Sequence, residues 1–442
     1  MSYPDMQSRS AQLFERGRKV IPGGNTRKSV YFAPYPTYAA SVDGCRVTDV
    51  DGVERLDFVN NNSATVLGHN HPAIVDAVVA QAKRMMAAGM PTELEIELAE
   101  MICERVASVD QVRFANSGTE AVMFAVRAAR AYTGRNVIAK VEGAYHGSWD
   151  PMYTSMTPLP DTWGEDSAPT TTLSSAGIPQ GAIDDILILP ANDVKAAREL
   201  LRANADDLAG VLIDPLVSQM GFLALTNEYL AMIRQVCSDL GAQLIFDEVF
   251  SFRLGYHGAQ EEFGVQADIT AFGKLIGGGL PVGAIGGGKD IMAVFDHTAG
   301  GSVPQSGTFS GSCMTMAAGI AALKEMTPQR FEQINALGEY AREGMRSALQ
   351  EAGLTGVVNG RGSLMSVLLV ESPFDNYREL FNQLIAGGAF ALGAQLHQYL
   401  LNHGIACIPP GVFILSAAMT EADIDELLRV ATDAFREIAQ SE

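Results

Sequence analysis

Ala267-Asp-Ile-Thr-Ala-Phe-Gly-Lys274 is the stretch on which the fold of this chain turns. A short run of apolar and β-favouring residues ends on a lysine, and Gly277, Gly278 and Gly279 follow almost at once. Such a run predicts a buried strand entering a tight turn. Upstream, Gln243-Leu-Ile-Phe246 predicts a second strand, and it ends on Asp247. Similar apolar segments occur at 111–115, 136–141, 210–213, 269–272 and 282–285, with helix-length segments between them. That alternation is the pattern of an α/β fold, a large and mostly parallel central sheet covered by helices on both faces.

Outside this region the pattern changes. Residues 6–20 predict a helix closed by Ile21-Pro-Gly-Gly24, and Asp43-Gly44 with Asp51-Gly52 bracket a β-meander leading to Leu56-Asp-Phe-Val59. Residues 151–182, rich in Pro, Thr, Ser and Gly, predict a long functional loop. After about 310 the pattern reads as helix, then strands within 357–370 and 404–416, then an amphipathic helix from Thr420. The division expected is a segment 1–57 contributing to a small α+β domain, a large domain 58–310, and a C-terminal small domain 311–442.

Composition narrows the class. A chain of 442 residues with 47% hydrophobic and 19% charged residues is globular, with a sizeable core. A formal charge of -20 without any basic run argues against nucleic acid or an anionic membrane as partner. No segment approaches the ~18 uninterrupted apolar residues of a membrane helix. Met1-Ser-Tyr-Pro-Asp-Met6 does not read as a signal peptide. The five cysteines are scattered, with neither CxxC nor a zinc spacing. The expectation is a cytoplasmic protein with reduced, mostly buried thiols and no metal.

The strand ends carry the chemistry. A lysine and an aspartate at the ends of two such strands can reach opposite ends of one flat ring. Pyridoxal 5'-phosphate suits that arrangement, because its aldehyde needs an amine and its ring nitrogen a carboxylate. Lys274 would hold it as a Schiff base and then move the proton; Asp247 would keep the ring nitrogen protonated. Strand alternation sends the adjacent Glu248 to the other side. Taken singly, Lys274 also reads as a surface lysine, and Asp247 as a cap or metal ligand. Asn116-Ser-Gly-Thr119 stands between a strand and a strong helix, where free amides and the helix dipole make an anion site. Ser117 or Thr119 would serve equally as an ordinary N-cap. Tyr145 in Tyr145-His146-Gly147 can stack on a planar ring, or it and His146 can simply pack in the core. Gly283-Ala-Ile-Gly-Gly-Gly288-Lys289 has the spacing of a nucleotide-binding loop, but Asp290 stands where a hydroxyl must hold magnesium.

Together these residues resemble the class III (ornithine/ω-type) aminotransferases, fold-type I pyridoxal phosphate enzymes. The glutamate-1-semialdehyde aminomutase branch and its β-amino acid aminotransferase relatives match best. The resemblance runs through Gly68-His-Asn-His-Pro72, Pro91-Thr-Glu-Leu-Glu95, Asn116-Ser-Gly-Thr-Glu-Ala121, Ala129-Arg-Ala-Tyr-Thr-Gly134 and Glu142-Gly-Ala-Tyr-His-Gly147. It continues through Phe246-Asp-Glu-Val249, Gly273-Lys-Leu-Ile-Gly-Gly-Gly-Leu-Pro-Val-Gly283 and Gly307-Thr-Phe-Ser-Gly311. It implies that Lys274 binds the cofactor and Asp247 its ring nitrogen. Val249, two residues on along the same strand, would pack under the ring, with Tyr145 over it and His146 beside it. Ser117, Gly118 and Thr119 would bind phosphate, and Gln219 would lie near the phenolic oxygen. Thr308 would reach the phosphate of the neighbouring subunit, so that a homodimer has its active sites at the interface.

The departures bear on substrate. The aminomutase branch carries a glutamate in the C-terminal strand region, and Pro409-Pro-Gly-Val-Phe-Ile-Leu-Ser416 has none. The loop after Asp247 is also one residue shorter. Pro22-Gly-Gly-Asn-Thr-Arg27 with Tyr31-Phe-Ala-Pro-Tyr35 instead is similar to β-amino acid aminotransferases. There an arginine at the position of Arg27 receives the substrate carboxylate, and Pro410 stands where some of those enzymes bring a second arginine. Arg27 also reads as a surface or inter-subunit salt bridge. Met90, Val412 and Phe413 would form an apolar wall. The resemblance thus implies transfer of an amino group from a β-amino acid or hydrophobic amine donor to a keto acid or ketone acceptor. The alternatives are an aminomutase or an amino-acid racemase/epimerase on the same scaffold, or a catalytically silent binding protein.

Overall fold

The computed structural model describes residues 3–385 and 387–441. The chain divides into two compact units. The larger comprises Pro72–Glu332 and Phe374–Leu380; the smaller holds the described parts of 1–71, 333–373 and 381–442.

Seven strands form the sheet of the larger unit: β1 (Gln111–Ala115), β2 (Val137–Val141), β3 (Ile186–Leu189), β4 (Leu208–Ile213), β5 (Gln243–Asp247), β6 (Ile269–Gly273) and β7 (Gly283–Gly287). Their order is β1-β7-β6-β5-β4-β2-β3. Only β7 runs antiparallel to its neighbours. Every residue of β4 to β7 is buried, as expected of continuous apolar strands covered on both faces. The helix Gly118–Thr133 lays Ala121, Ala125, Ala128 and Ala129 on Ile138, Leu212, Ile245 and Ile269. Small residues bring that helix close to the sheet, and Gly134 ends it with a φ of 71°.

The six parallel strands present their carboxyl ends on the same edge of the sheet. Ligands of open α/β sheets bind outside that edge. The residues collected there are 116–119, 142–146, 214, 247–250 and 274.

The predicted strands at 111–115, 136–141, 210–213, 243–246, 269–272 and 282–285 all form, within two residues at either end. β3, whose four residues come shortly after the loop-rich stretch 151–182, is not among the predicted strands. That stretch forms only 3-10 turns and the strand pair Gly164–Glu165 and Ala168–Pro169.

In the smaller unit Ala39–Asp43, Arg46–Asp49 and Glu54–Asp57 form the expected meander, and Ile405–Ala406 adds a parallel strand beside Glu54–Asp57. Val357–Arg361, Leu364–Leu368 and Val412–Ile414 form a second, antiparallel sheet. The stretches 357–370 and 404–416 therefore each yield two short strands. The leading helix is Arg9–Arg18, capped by the Ser8 side chain, and the closing one is Glu421–Ala439.

The units divide at 71/72 and 332/333, whereas the sequence reading draws lines at 57 and 310. The helix Cys313–Glu325 packs on Pro72–Arg84 and Glu93–Arg105, which draws all three into the larger unit. Among the described residues no helix is long and apolar enough to cross a membrane, and no group of three or more His, Cys, Asp or Glu could hold a metal.

Candidate active site

β5 ends on Asp247, which is 7% exposed and lies opposite Ala271 of β6. Its Oδ1 accepts from Val249 N at 3.1 Å, and its Oδ2 lies 2.9 Å from Nδ1 of His146. His146 is 1% exposed, and burial pushes its pKa down although Asp247 pulls it up. A neutral imidazole with its proton on Nδ1 donates to the carboxylate and leaves Nε2 bare. That Nε2 is buried with no hydrogen-bond partner among the described residues. Glu248 turns the other way; its oxygens accept from Ala259 N at 2.7 Å and Gln260 Nε2 at 3.0 Å.

Lys274 follows β6 directly, at a φ of 49°. Its Nζ lies 3.7 Å from the ring centroid of Phe250, which in turn packs edge-on against Phe222. Burial pushes the amine down to about 8, while Asp247 and Asp214 pull it back up. Asp214, just past β4, is itself pushed well above the usual carboxylate range by burial and by the charge of Asp247. Two carboxyl groups thus face one amine. The sequence does not single out Asp214 or Phe250 as site residues, although Asp214 follows a strand end much as Asp247 closes one.

The helix Gly118–Thr133 begins at the same edge. Ser117 caps it, its Oγ accepting from Glu120 N at 3.2 Å. The N–H groups of Gly118 and Thr119 have no acceptor among the described residues. A Cβ on Gly118 would come within 2.9 Å of Val249 Cγ1, so only glycine leaves that close approach open. Val249 does not continue the strand as expected. The chain turns after Asp247, whose carboxylate caps the Val249 amide, and the valine is set between Gly118 and Gly273.

Tyr145 stays at this edge, 37% exposed, with its ring edge-on to Tyr153 and its hydroxyl bonded to Ser148 and Thr119. The other expected site residues are dispersed. Gln219 is exposed on the turn Ser218–Met220, and Thr308 is exposed beside Phe309. Met90 stands out to solvent on the connection between Pro72–Arg84 and Glu93–Arg105. In the smaller unit, Arg27 is exposed and its Nη1 donates to Asn61 Oδ1 at 2.7 Å. Val412 is half-buried, but Phe413 corrects the expectation of an apolar wall. Strand alternation turns it into the core of that unit, 1% exposed and edge-on to Phe58.

The family model for class-III aminotransferases matches residues 32–435. The chain belongs to that family. Among its relatives, a glutamate-1-semialdehyde 2,1-aminomutase of Acetivibrio thermocellus is 38% identical, over 95% of this chain and 96% of the relative. An omega-transaminase from Sphaerobacter thermophilus has a solved structure similar to this one, with TM-score 0.95 and 44% identity over 99% of both chains. A beta-phenylalanine aminotransferase from Variovorax paradoxus follows the fold with TM-score 0.85 and 33% identity, over 96% of this chain and 93% of that one. This class-III aminotransferase is therefore a pyridoxal phosphate-dependent transaminase.

The residues present fit that cofactor. Two unpaired amides at a helix N-terminus suit its phosphate, a buried carboxylate its ring nitrogen, and an amine of lowered pKa its aldehyde.

Proposed function

We propose that this aminotransferase moves the amino group of a β-amino acid or a hydrophobic amine to a keto acid or ketone. The observation that carries the reading is Arg27. One of its nitrogens is held by Asn61 Oδ1, and no carboxylate of the chain pairs with it among the described residues. A guanidinium steadied by a neutral oxygen keeps its charge and most of its donors for a ligand carboxylate. The likeness to a beta-phenylalanine aminotransferase supports the same reading, as does the lack of any acidic residue in 409–416.

Pyridoxal phosphate, when bound, supplies an aldehyde for the substrate amine and a ring that accepts electron density. Asp247 would hold the ring nitrogen, and His146 orients its carboxylate through Nδ1. Gly118 and Thr119 bind phosphate through their amides. Lys274 would hold the cofactor through Nζ, and a substrate amine would take its place there. Its Nζ is then free to take the proton from the amine-bearing carbon and return it elsewhere. The active species in this reading is a homodimer, in which the exposed Thr308 reaches the phosphate held by the partner.

A donor panel tests the proposal, with pyruvate and 2-oxoglutarate as acceptors. Arg27→Ala is expected to lower kcat/KM for β-amino acids by about a hundredfold, the scale of a lost charge-assisted pair, and to leave simple amines within about threefold. Equal loss for both donor classes would remove Arg27 from the carboxylate site. Turnover of an amino substrate to an isomer with no keto acid present would mark the enzyme as an aminomutase or racemase instead.

A further inference from the structure

Lys140 is the last residue but one of β2 and is 0% exposed. No carboxylate pairs with it among the described residues. Its Nζ donates instead to three backbone carbonyls, Ala144 at 2.8 Å, Met152 at 3.1 Å and Thr154 at 2.7 Å. An ammonium has three donors and no acceptor, so the three carbonyls match the charged form, against burial, which pushes the amine down to about 7. The three carbonyls come from separate points of one loop. That loop is closed at its base, where Gly143 N donates to Ser155 O at 2.8 Å, and it carries Tyr145 and His146.

At its far side the loop meets the phosphate end of the site. Ser148 N donates to Thr119 Oγ1 at 3.3 Å, and a Cβ on Gly147 would come within 2.8 Å of that oxygen. The loop therefore runs from the buried cation to the first turn of the helix that begins at Gly118. Among the described residues the ring of His146 has one hydrogen bond, to Asp247, and its Nε2 has none. With a single hydrogen bond on the ring, its tilt is set by the packing around it and by the backbone of the loop that carries it.

We propose that Lys140 is a positioning residue for the cofactor site, holding the 143–154 loop in the shape that sets His146 on Asp247 and presents Tyr145. Remove the cation and three buried carbonyls lose their donor together, so the loop must open to find water or shift to find other partners. Burial, and to a smaller degree the charge of Lys140, pushes His146 toward its neutral form, in which Nδ1–H donates to Asp247. A lysine serving only the core would stabilise the fold without touching the geometry at Asp247.

The test compares Lys140→Met, which removes all three donors, with Lys140→Gln, which retains two. Hydrogen exchange on the cofactor-free protein is expected to rise about tenfold or more at 143–155 in Lys140→Met, with β4 to β6 unchanged. In the cofactor-loaded protein the visible circular dichroism band, which reads ring tilt, is expected to change sign or fall by about half, and kcat to fall about tenfold at similar KM. Lys140→Gln should lie between. In a His146→Asn background the same replacement should alter the band by less than half as much, because coupled positions are not additive. An unchanged band and kcat in Lys140→Met, whatever its melting temperature, would overturn the proposal. So would a change in the band that is equally large without His146. Should Lys140→Met fail to fold, Lys140→Gln decides by the same readouts.

Discussion

Lys274 shows what burial does to a nucleophile. An ordinary lysine at pH 7 has about 0.03% of its amine neutral; one held at about 8 has about 10%. Only the neutral amine attacks an aldehyde, so the rate at which cofactor-free protein takes up pyridoxal phosphate should rise with pH and level off above about 8. Stopped-flow mixing between pH 6 and 10 measures this, and a midpoint near 10.5 would contradict the environment described. Asp247 stabilises the ammonium form, so Asp247→Asn should move the midpoint down. Lys274 and Asp247 were readable in the sequence because a charged residue ending an apolar strand is conspicuous. Phe250, 3.7 Å from Nζ, was not, because an aromatic beside a strand reads as core.

Among the elements, the turn Asn60–Ser63 is the most unusual. Its four residues have φ values of 45°, 48°, 53° and 76°, all left-handed and none a glycine. Consecutive left-handed residues cost about 1–2 kcal/mol each, less for asparagine, so the surroundings must offset the strain. Asp57 supplies much of this. Its Oδ1 accepts from Val59 N and Asn60 N, and its Oδ2 lies 2.6 Å from His69 Nε2. The buried Asn60 amide donates to Asp57 O at 3.0 Å and Ile414 O at 2.6 Å. Asn60→Ala should therefore lower unfolding stability by about 2–4 kcal/mol, from two stranded carbonyls plus strain, and Asn60→Gly by less. Denaturant titration checks the order; a glycine variant no better than alanine would mean that strain plays no part. Asn61, which holds Arg27, is the second residue of this turn. The sequence reading reached Arg27 through the family resemblance but had no sign of the turn, since a run of asparagines reports only a bend.

At the scale of the molecule, Arg378 explains why 374–380 leave the smaller unit. Its Nε and Nη2 engage both oxygens of Glu142, at 2.9 and 3.1 Å. Nη1 donates to Gly164 O and Asp166 Oδ1, and Nη2 also to Trp163 O, so all five N–H groups are used. The guanidinium also lies over the Trp163 ring. Glu142 is 3% exposed, and Arg378→Met would leave its charge buried and unpaired. The expected cost is about 3–5 kcal/mol, with early proteolysis near 163–166. Limited proteolysis and a melting curve check both, and a wild-type cleavage pattern would show that the segment is held by other contacts.

What the chain determined by itself was local. Apolar runs of strand length, the charged residues that end them and a capped helix after Asn116 specify a parallel sheet with a ligand edge. They do so because strand and helix periodicities are written in neighbouring residues. Tertiary structure alone decided the rest. Lys140, Glu142, Asp214 and Arg378 are charged side chains whose roles no local pattern states. Their meaning lies in partners brought close by folding: three carbonyls from one loop, a guanidinium 236 residues away, a carboxylate on the next strand. A buried charge can be explained only by what surrounds it, and those surroundings exist only once the chain has folded.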